Sequence, residues 1–300
     1  MATQTFAIFT PTIWSPKINH WLKKKLVAAT RFADYSDEVT GGGDTINIPS
    51  ISDGFSATAI TVTTGSVTGT NISDTKSALS VNTWVGNALI ISDFQKSQVS
   101  RNYRLQEEYM QAQAYALAKN LDSAIIRLGA SNTITSVGNS ATALLSTTIE
   151  KAMSVLAERS VPLNECTFLM RPATYYRRIF GTAKFYDASQ FGKPTLPTGV
   201  IDYLYGVPVV TTEQITTCTY AGDPTSAGNG YRNLLAHKSA FAYAIGNIPG
   251  QNRIDGIRLT ERENSSSTGA DLATKVIADV AYGVLLLNPT RVVKIIDKVA

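Results

Sequence analysis

Between residues 45 and 83 apolar side chains alternate with small or polar ones: Ile46 and Ile48 within 45–49, Ile60 and Val62 within 59–63, Leu79 and Val81 within 78–82. A period of two predicts half-buried strands, and Gly54, Gly65 and Gly69 supply turns between them. Entered through Gly41, Gly42 and Gly43, residues 41–83 read as an extended β-hairpin loop. With about 17 residues per arm at 3.3 Å each, it reaches roughly 55 Å. A lone hairpin is marginal in water. Each of the six side chains Ile46, Ile48, Ile60, Val62, Leu79 and Val81 gains about 1.5–3 kcal/mol from burial, so a neighbouring subunit is the expected cover, the alternative being that the segment folds back as an ordinary sheet of its own core.

After Ser92 the period lengthens. Ser92 and Gln95 have the spacing of an N-terminal capping box, and Val99, Tyr103, Met110, Ala114, Leu117, Leu121, Ile125 and Leu128 recur at three, four or seven residues up to Gly129. That predicts a helix over about 100–129, roughly 45 Å long at 1.5 Å per residue. Thr147 and Glu150 repeat the capping-box spacing before a second helix over 148–159, which Val161 and Pro162 end. A short buried strand over 166–170 and a helix opened by Pro172, carrying Tyr175, Tyr176, Ile179 and Phe180, come next. Residues 199–212 read as strand, turn at Gly206, and strand; 234–245 as another strand. The apolar runs 276–287 and 292–296, either side of Asn288 and Pro289, read as central strands. The first 40 residues scatter Phe6, Ile8, Phe9, Ile13 and Trp14 among prolines, then give a basic amphipathic stretch over 17–32. This is an arm with little core of its own.

The 300 residues suffice for a substantial core, since a chain of this length buries about 75% of its unfolded surface. Only 17% are charged, against about 25% in an ordinary soluble domain, which suggests that much of the surface is contact surface. Cys166 and Cys218 lack the paired spacing of a zinc site and read as free thiols in a reducing compartment. No run reaches the roughly 18 apolar residues of a membrane span, so no membrane partner is expected.

Catalytic chemistry has little to work with. His20 and His237 are the only histidines, one in the amphipathic arm and one opening an apolar strand. No phosphate-loop lysine, dinucleotide-binding glycine pattern or metalloprotease motif occurs. Neither enzyme activity, cofactor nor metal is expected. Lys23, Lys24 and Lys25, with Lys17 and Arg31, form the densest basic cluster; it reads either as a phosphate contact or as a solvated helix face.

The order of elements resembles the tailed-bacteriophage major capsid protein with the Hong Kong 97 fold. Leu204, Tyr205, Gly206, Val207, Pro208 and Val209 resemble the Leu-x-Gly-x-Pro-Val segment of that family's axial domain. Residues 278–293, through Asn288 and Pro289, are similar to the strand pair closing its peripheral domain. The resemblance implies an α+β fold with an N-terminal arm at 1–40, the extended loop at 41–83, a peripheral domain at 84–180 and 255–300 holding the long spine helix, and an axial domain at 181–254. It further implies a homo-oligomer of pentamers and hexamers in an icosahedral shell, in the virion, assembled in the host cytoplasm. Portal and decoration proteins would be partners, and packaged double-stranded DNA would be touched without base readout, with Lys23, Lys24 and Lys25 as DNA-facing candidates. No charged helical extension precedes the arm, which for a full gene product implies a separate scaffolding protein. A phage tail or adhesion component is the alternative reading.

Overall fold

The computed structural model describes residues 26–39, 44–50, 60, 65, 73–92, 105–139, 142–179, 203–215, 217–219, 229–247, 253–254, 257–263 and 273–298. In chain order they form β1 (Ala33–Asp34), α1 (Ser36–Val39), β2 (Thr45–Ser50), β3 (Thr75–Ser80), β4 (Thr83–Ser92) and α2 (Leu105–Leu128). Next are β5 (Thr135–Gly138), α3 (Ser146–Glu158), β6 (Cys166–Met170), and α4 (Pro172–Thr174), continued by a wider turn over Tyr175–Ile179. The chain then gives β7 (Tyr203–Leu204), β8 (Val207–Thr211), β9 (Thr217–Thr219), β10 (Asn229–His237) and β11 (Phe241–Ile245). It ends with β12 (Arg253–Ile254), β13 (Ile257–Glu263), β14 (Ala273–Leu286) and β15 (Val292–Lys298).

Three sheets result. A six-stranded sheet runs β1-β11-β14-β13-β12, with β4 also paired to β14; a seven-stranded sheet runs β5-β15-β10-β6-β8-β7, with β9 on β10; β2 and β3 form a separate ribbon. Helix α2 covers one face of the six-stranded sheet: Leu117, Leu121, Ile125 and Ile126 belong to one buried cluster with Phe241, Tyr243, Val280 and Tyr282. Helix α3 plays the same part for the other large sheet, where Ile149, Ala152 and Leu156 meet Phe168, Leu235, Val293 and Ile295.

The long helix and the buried strand over 166–170 lie where the periodicity puts them. Val99 and Tyr103 are outside the described residues. Ser92, expected to cap the long helix, instead ends β4, paired with Ala273. Three further expectations change. The run 234–245 is two strands, because a turn closed by Ala240 N–H donating to His237 O (2.9 Å) carries the chain from the seven-stranded to the six-stranded sheet. A continuous apolar run looks the same whether or not a turn divides it. The capping box at Thr147 and Glu150 does not form, since α3 starts at Ser146 with Leu145 as its N-cap and no side-chain cap. Thr148 N–H bonds the Leu145 carbonyl instead (3.0 Å).

The third change concerns the boundaries expected at 180/181 and 254/255. Both large sheets draw strands from each side of them: β11 joins β4, β13 and β14, whereas β8 and β10 join β5, β6 and β15. The two C-terminal apolar strands are sequence neighbours but central in different sheets. Strand β4, which has apolar residues on both faces and therefore no clean period of two, pairs with β14 over ten positions from Ala273↔Ser92 to Tyr282↔Thr83.

Candidate assembly surfaces

The ribbon pairs Ile46 with Leu79 and Ile48 with Ser77. Its inner face lies on its own subunit. Leu79 is buried with Val39, Ala242 and Ala244, and Ile46, Ile48, Val81, Leu285 and Leu287 pack around them. This corrects the expectation that a neighbour covers all six ribbon side chains: Leu79 is buried within the chain, and Ile46, Ile48 and Val81 are half-buried against the same cluster. The pleat explains it, because the ribbon's apolar face turns toward the small residues of β11. Ile60 is 57% exposed, and Val62 is outside the described residues. Where the ribbon leaves for β4, Val81 N–H donates to Asp44 O (2.7 Å). A Cβ on Gly283 would run into the Ser80 carbonyl there.

The six-stranded sheet therefore has two unlike faces. On β14, Ala278, Val280 and Tyr282 pack in the cluster shared with α2, and Val276, two residues before Ala278 and so on the same side, is buried. The others, Lys275, Ile277, Asp279, Ala281, Gly283 and Leu285, face away. The Leu285 end of this outer row is under the ribbon. At the other end Trp84, Gly86, Ala88 and Ile90 of β4 stand opposite Ala281, Asp279, Ile277 and Lys275. Arg258 and Thr260 of β13 stand opposite Asp279 and Ile277. Trp84, Val85, Gly86, Arg258, Thr260, Ile277 and Asp279 line a groove of about 400 Å³.

Within it, Arg258 Nε and Nη2 donate to the two Asp279 oxygens at 2.9 and 2.6 Å, and Trp84 Nε1 donates to Asp279 Oδ2 at 2.8 Å. Burial alone would raise the Asp279 carboxyl, but the bonds from Arg258 and Trp84 outweigh it and hold the group below its ordinary range. Trp84 is 70% exposed and Ile90 50%. Sequence reasoning missed this site, because Trp84, Arg258 and Asp279 are brought together only by strand register.

The axial-domain candidates form a tight turn. Tyr205 and Gly206 both have positive φ, 51° and 83°, the geometry of a two-residue hairpin whose twist matches its strands. Leu204 and Val207 are buried on either side, and Pro208 stands opposite Tyr203. The Tyr205 hydroxyl donates to Glu150 Oε1 (2.7 Å), which gives Glu150 a role other than the expected cap. Lys23, Lys24 and Lys25 are outside the described residues.

Three polar clusters hold the frame. Asp122 on α2 accepts backbone N–H bonds from Val27, Ala28 and Ala29 (3.1, 2.6 and 3.3 Å) and one from Gln214 Nε2 (2.6 Å), fixing the chain entering β1 against α2. Burial raises its carboxyl despite those bonds. Asp297 accepts from Leu144 N–H (2.8 Å) and the Thr174 hydroxyl (3.0 Å). His237 places Nε2 3.0 Å from Glu165 and Nδ1 2.9 Å from the Ser239 hydroxyl. That order of groups resembles a nucleophile relay. However, the Ser239 N–H also donates to Nδ1 (3.2 Å), and Arg291 donates to the Ser239 hydroxyl (2.6 Å), so the cluster ties the two chain crossings between the sheets. Next to it, burial and then Glu165 push the Cys166 thiol up to about 11. Among the described residues no three metal-ligating side chains converge, and no helix is long and apolar enough to cross a membrane.

No protein-family model and no curated protein sequence matches this chain. Solved structures do. A cyanophage Pam1 capsid asymmetric unit superposes with a TM-score of 0.72 at 14% identity, covering 98% of each chain. The head structure of Helicobacter pylori bacteriophage KHP40 gives 0.73 at 12% identity over 99% of each. This chain has a phage-capsid fold. A structure from Mycobacterium phage Che8 is similar at a TM-score of 0.75 and 19% identity, over 97% of this chain and 98% of that one. The similarity thus runs over nearly the whole of each chain rather than through a single shared motif.

Proposed function

We propose that this chain is the major capsid protein of a tailed bacteriophage, which self-assembles into the icosahedral shell around the double-stranded DNA genome. The observation that carries the reading is the end-to-end match to a cyanophage capsid and a Helicobacter phage head, at 98–99% coverage in both directions. Coverage of that extent does not favour a tail or adhesion component. The work of such a protein is geometric rather than catalytic: identical subunits close into pentamers and hexamers through heterologous contacts.

The six-stranded sheet with α2 as spine helix would be the peripheral domain, and the seven-stranded sheet with α3 the axial domain. In this reading the Tyr205–Gly206 turn points toward the capsomer centre, and the ribbon beyond its packed base lies over a neighbouring subunit. A scaffolding protein, the portal and a decoration protein are its partners. Packaged DNA is held by charge without base readout, with Lys23, Lys24 and Lys25 as candidate contacts. Assembly would take place in the host cytoplasm, and the product is the virion.

Electron microscopy of the protein produced together with its neighbouring structural genes tests the proposal. Closed shells of uniform diameter are the expected result; open tubes, or subunits that stay monomeric by light scattering, overturn it.

A further inference from the structure

The seven-stranded sheet meets the six-stranded one through the crossings at 238–240 and 287–291. Its opposite end is basic. Arg171 follows β6, Tyr231 and Arg232 lie near the start of β10, Lys298 ends β15, and Arg177 and Arg178 stand on the wider turn after α4. Strand register keeps them close: Tyr231 pairs with Asp297 and Arg232 with Ile296, the Arg171 N–H donates to Asn233 Oδ1 (2.8 Å), and Arg178 Nε lies 3.7 Å from Asp297 Oδ1. Against these five cations the strand ends carry two carboxylates, Asp297 and Glu213. Asp297 is buried and already accepts from Leu144 N–H and the Thr174 hydroxyl.

Arg171 is fixed but not neutralised. Its guanidinium stacks on the Tyr231 ring, 4.8 Å from the ring centre, and its Nη1 donates to the Ile215 carbonyl. It is half-buried, and no described carboxylate pairs with it. A part-buried cation without a counter-charge costs free energy. Held in place with Nε and Nη2 open, the guanidinium also presents the planar fork that takes two oxygens of one anion. The number of cations selects the anion. A carboxylate is satisfied by a single fork, whereas a phosphate group turns three oxygens and up to about two charges toward several cations at once. Arg177 and Arg178 stand on the turn beside the fork. Arg232 and Lys298, one position out of phase with Tyr231 and Asp297, add charge from the other face of the sheet.

We infer that this end of the seven-stranded sheet is a phosphate-binding site, in which Arg171, held by Tyr231 and Ile215, takes two oxygens of a phosphate group and Arg177 and Arg178 complete its charge. Free phosphate compounds and the sugar–phosphate backbone of a nucleic acid share that chemistry. The site belongs to the single subunit and stands apart from the shell-forming reading, which offers packaged DNA as one source.

The test uses the unassembled full chain, with pyrophosphate followed by titration calorimetry and a short labelled DNA duplex by fluorescence anisotropy. Pyrophosphate is expected to bind and to displace the duplex. A duplex that binds more tightly than pyrophosphate marks a nucleic-acid backbone as the source, and the reverse order marks a free phosphate compound. Arg171→Gln should weaken both by about tenfold or more, and Arg171→Lys should not restore them, because an ammonium keeps the charge but lacks the fork. Arg177 is exposed, so Arg177→Gln decides the matter even if Arg171→Gln does not fold: it should lower the salt slope of duplex binding by roughly 0.9, one phosphate contact. The site is overturned if neither probe binds, if Arg171→Lys binds at full strength, or if the Arg177→Gln slope is unchanged. Equal displacement by poly-glutamate overturns it too, as does duplex binding that survives Arg171→Gln and is lost on replacing Lys23, Lys24 and Lys25. None of these results touches the shell reading, which particle formation decides.

Discussion

Strands β15 and β4 are both rich in apolar residues, yet they are buried in different ways. Residues 292–297 of β15 are all buried, on both faces, whereas along β4 half-buried and exposed positions alternate from Thr83 to Ile90. One strand is a core element completed by its own chain. Among the described residues, the other is completed on the α2 side only. On the proposed shell-forming role, a sheet face that the described residues leave open beside one they cover is where stability and assembly separate.

The largest effect should come from the closed region. Phe168 is fully buried in the cluster with Val293 and Ile295, and Phe168→Ala should cost about 3–5 kcal/mol. Ile90→Ala on β4 should cost less than about 1 kcal/mol, as surface substitutions do. Urea unfolding of the isolated subunit measures both. Equal losses would mean that the outer face of β4 is core, and the contrast between the strands would fail.

An intermediate effect is expected at Asp122, where one carboxylate closes three backbone donors of 27–29. Asp122→Ala should cost about 2–4 kcal/mol, because buried N–H groups lose a charged acceptor. Release of the arm should show as faster tryptic cleavage after Arg31, which is exposed. Slow cleavage in a destabilised variant would mean that residues 30–39 hold the arm without it.

What the sequence made legible follows the same division. Long periodic elements, the α2 helix and the 166–170 strand, were readable because one period dominates each. The split of 234–245 at Lys238–Ala240 was not, since nothing in an unbroken apolar run marks a change of sheet. Leu204, Tyr205, Gly206 and Pro208 were readable from local turn chemistry. Trp84, Arg258 and Asp279 are brought together by register across three strands and have no sequence signature. The ribbon was seen as a hairpin, but the cover of its base was assigned to a neighbour. Alternation shows that a face is apolar and leaves open which surface meets it.

The smallest effect is electrostatic and belongs to the open face. Bonds from Arg258 and Trp84 hold the Asp279 carboxyl below its ordinary range, so the folded state binds its proton less readily than the unfolded chain. The stability this provides is present above the unfolded carboxylate value of about 3.9 and is lost as pH falls through the lower folded value. The pair is part-exposed, with Arg258 at 25% and Asp279 at 5%, so solvent screens it and its worth should be small. Asp279→Asn should therefore melt slightly below the unaltered protein at pH 6, and the two melting curves should converge as the pH falls below about 4. A constant gap across that range would mean that the charge of Asp279 contributes nothing and that its bonds act only by shape. Convergence would identify the carboxylate as what holds Trp84 and Arg258 in register across a face that no other described residue covers.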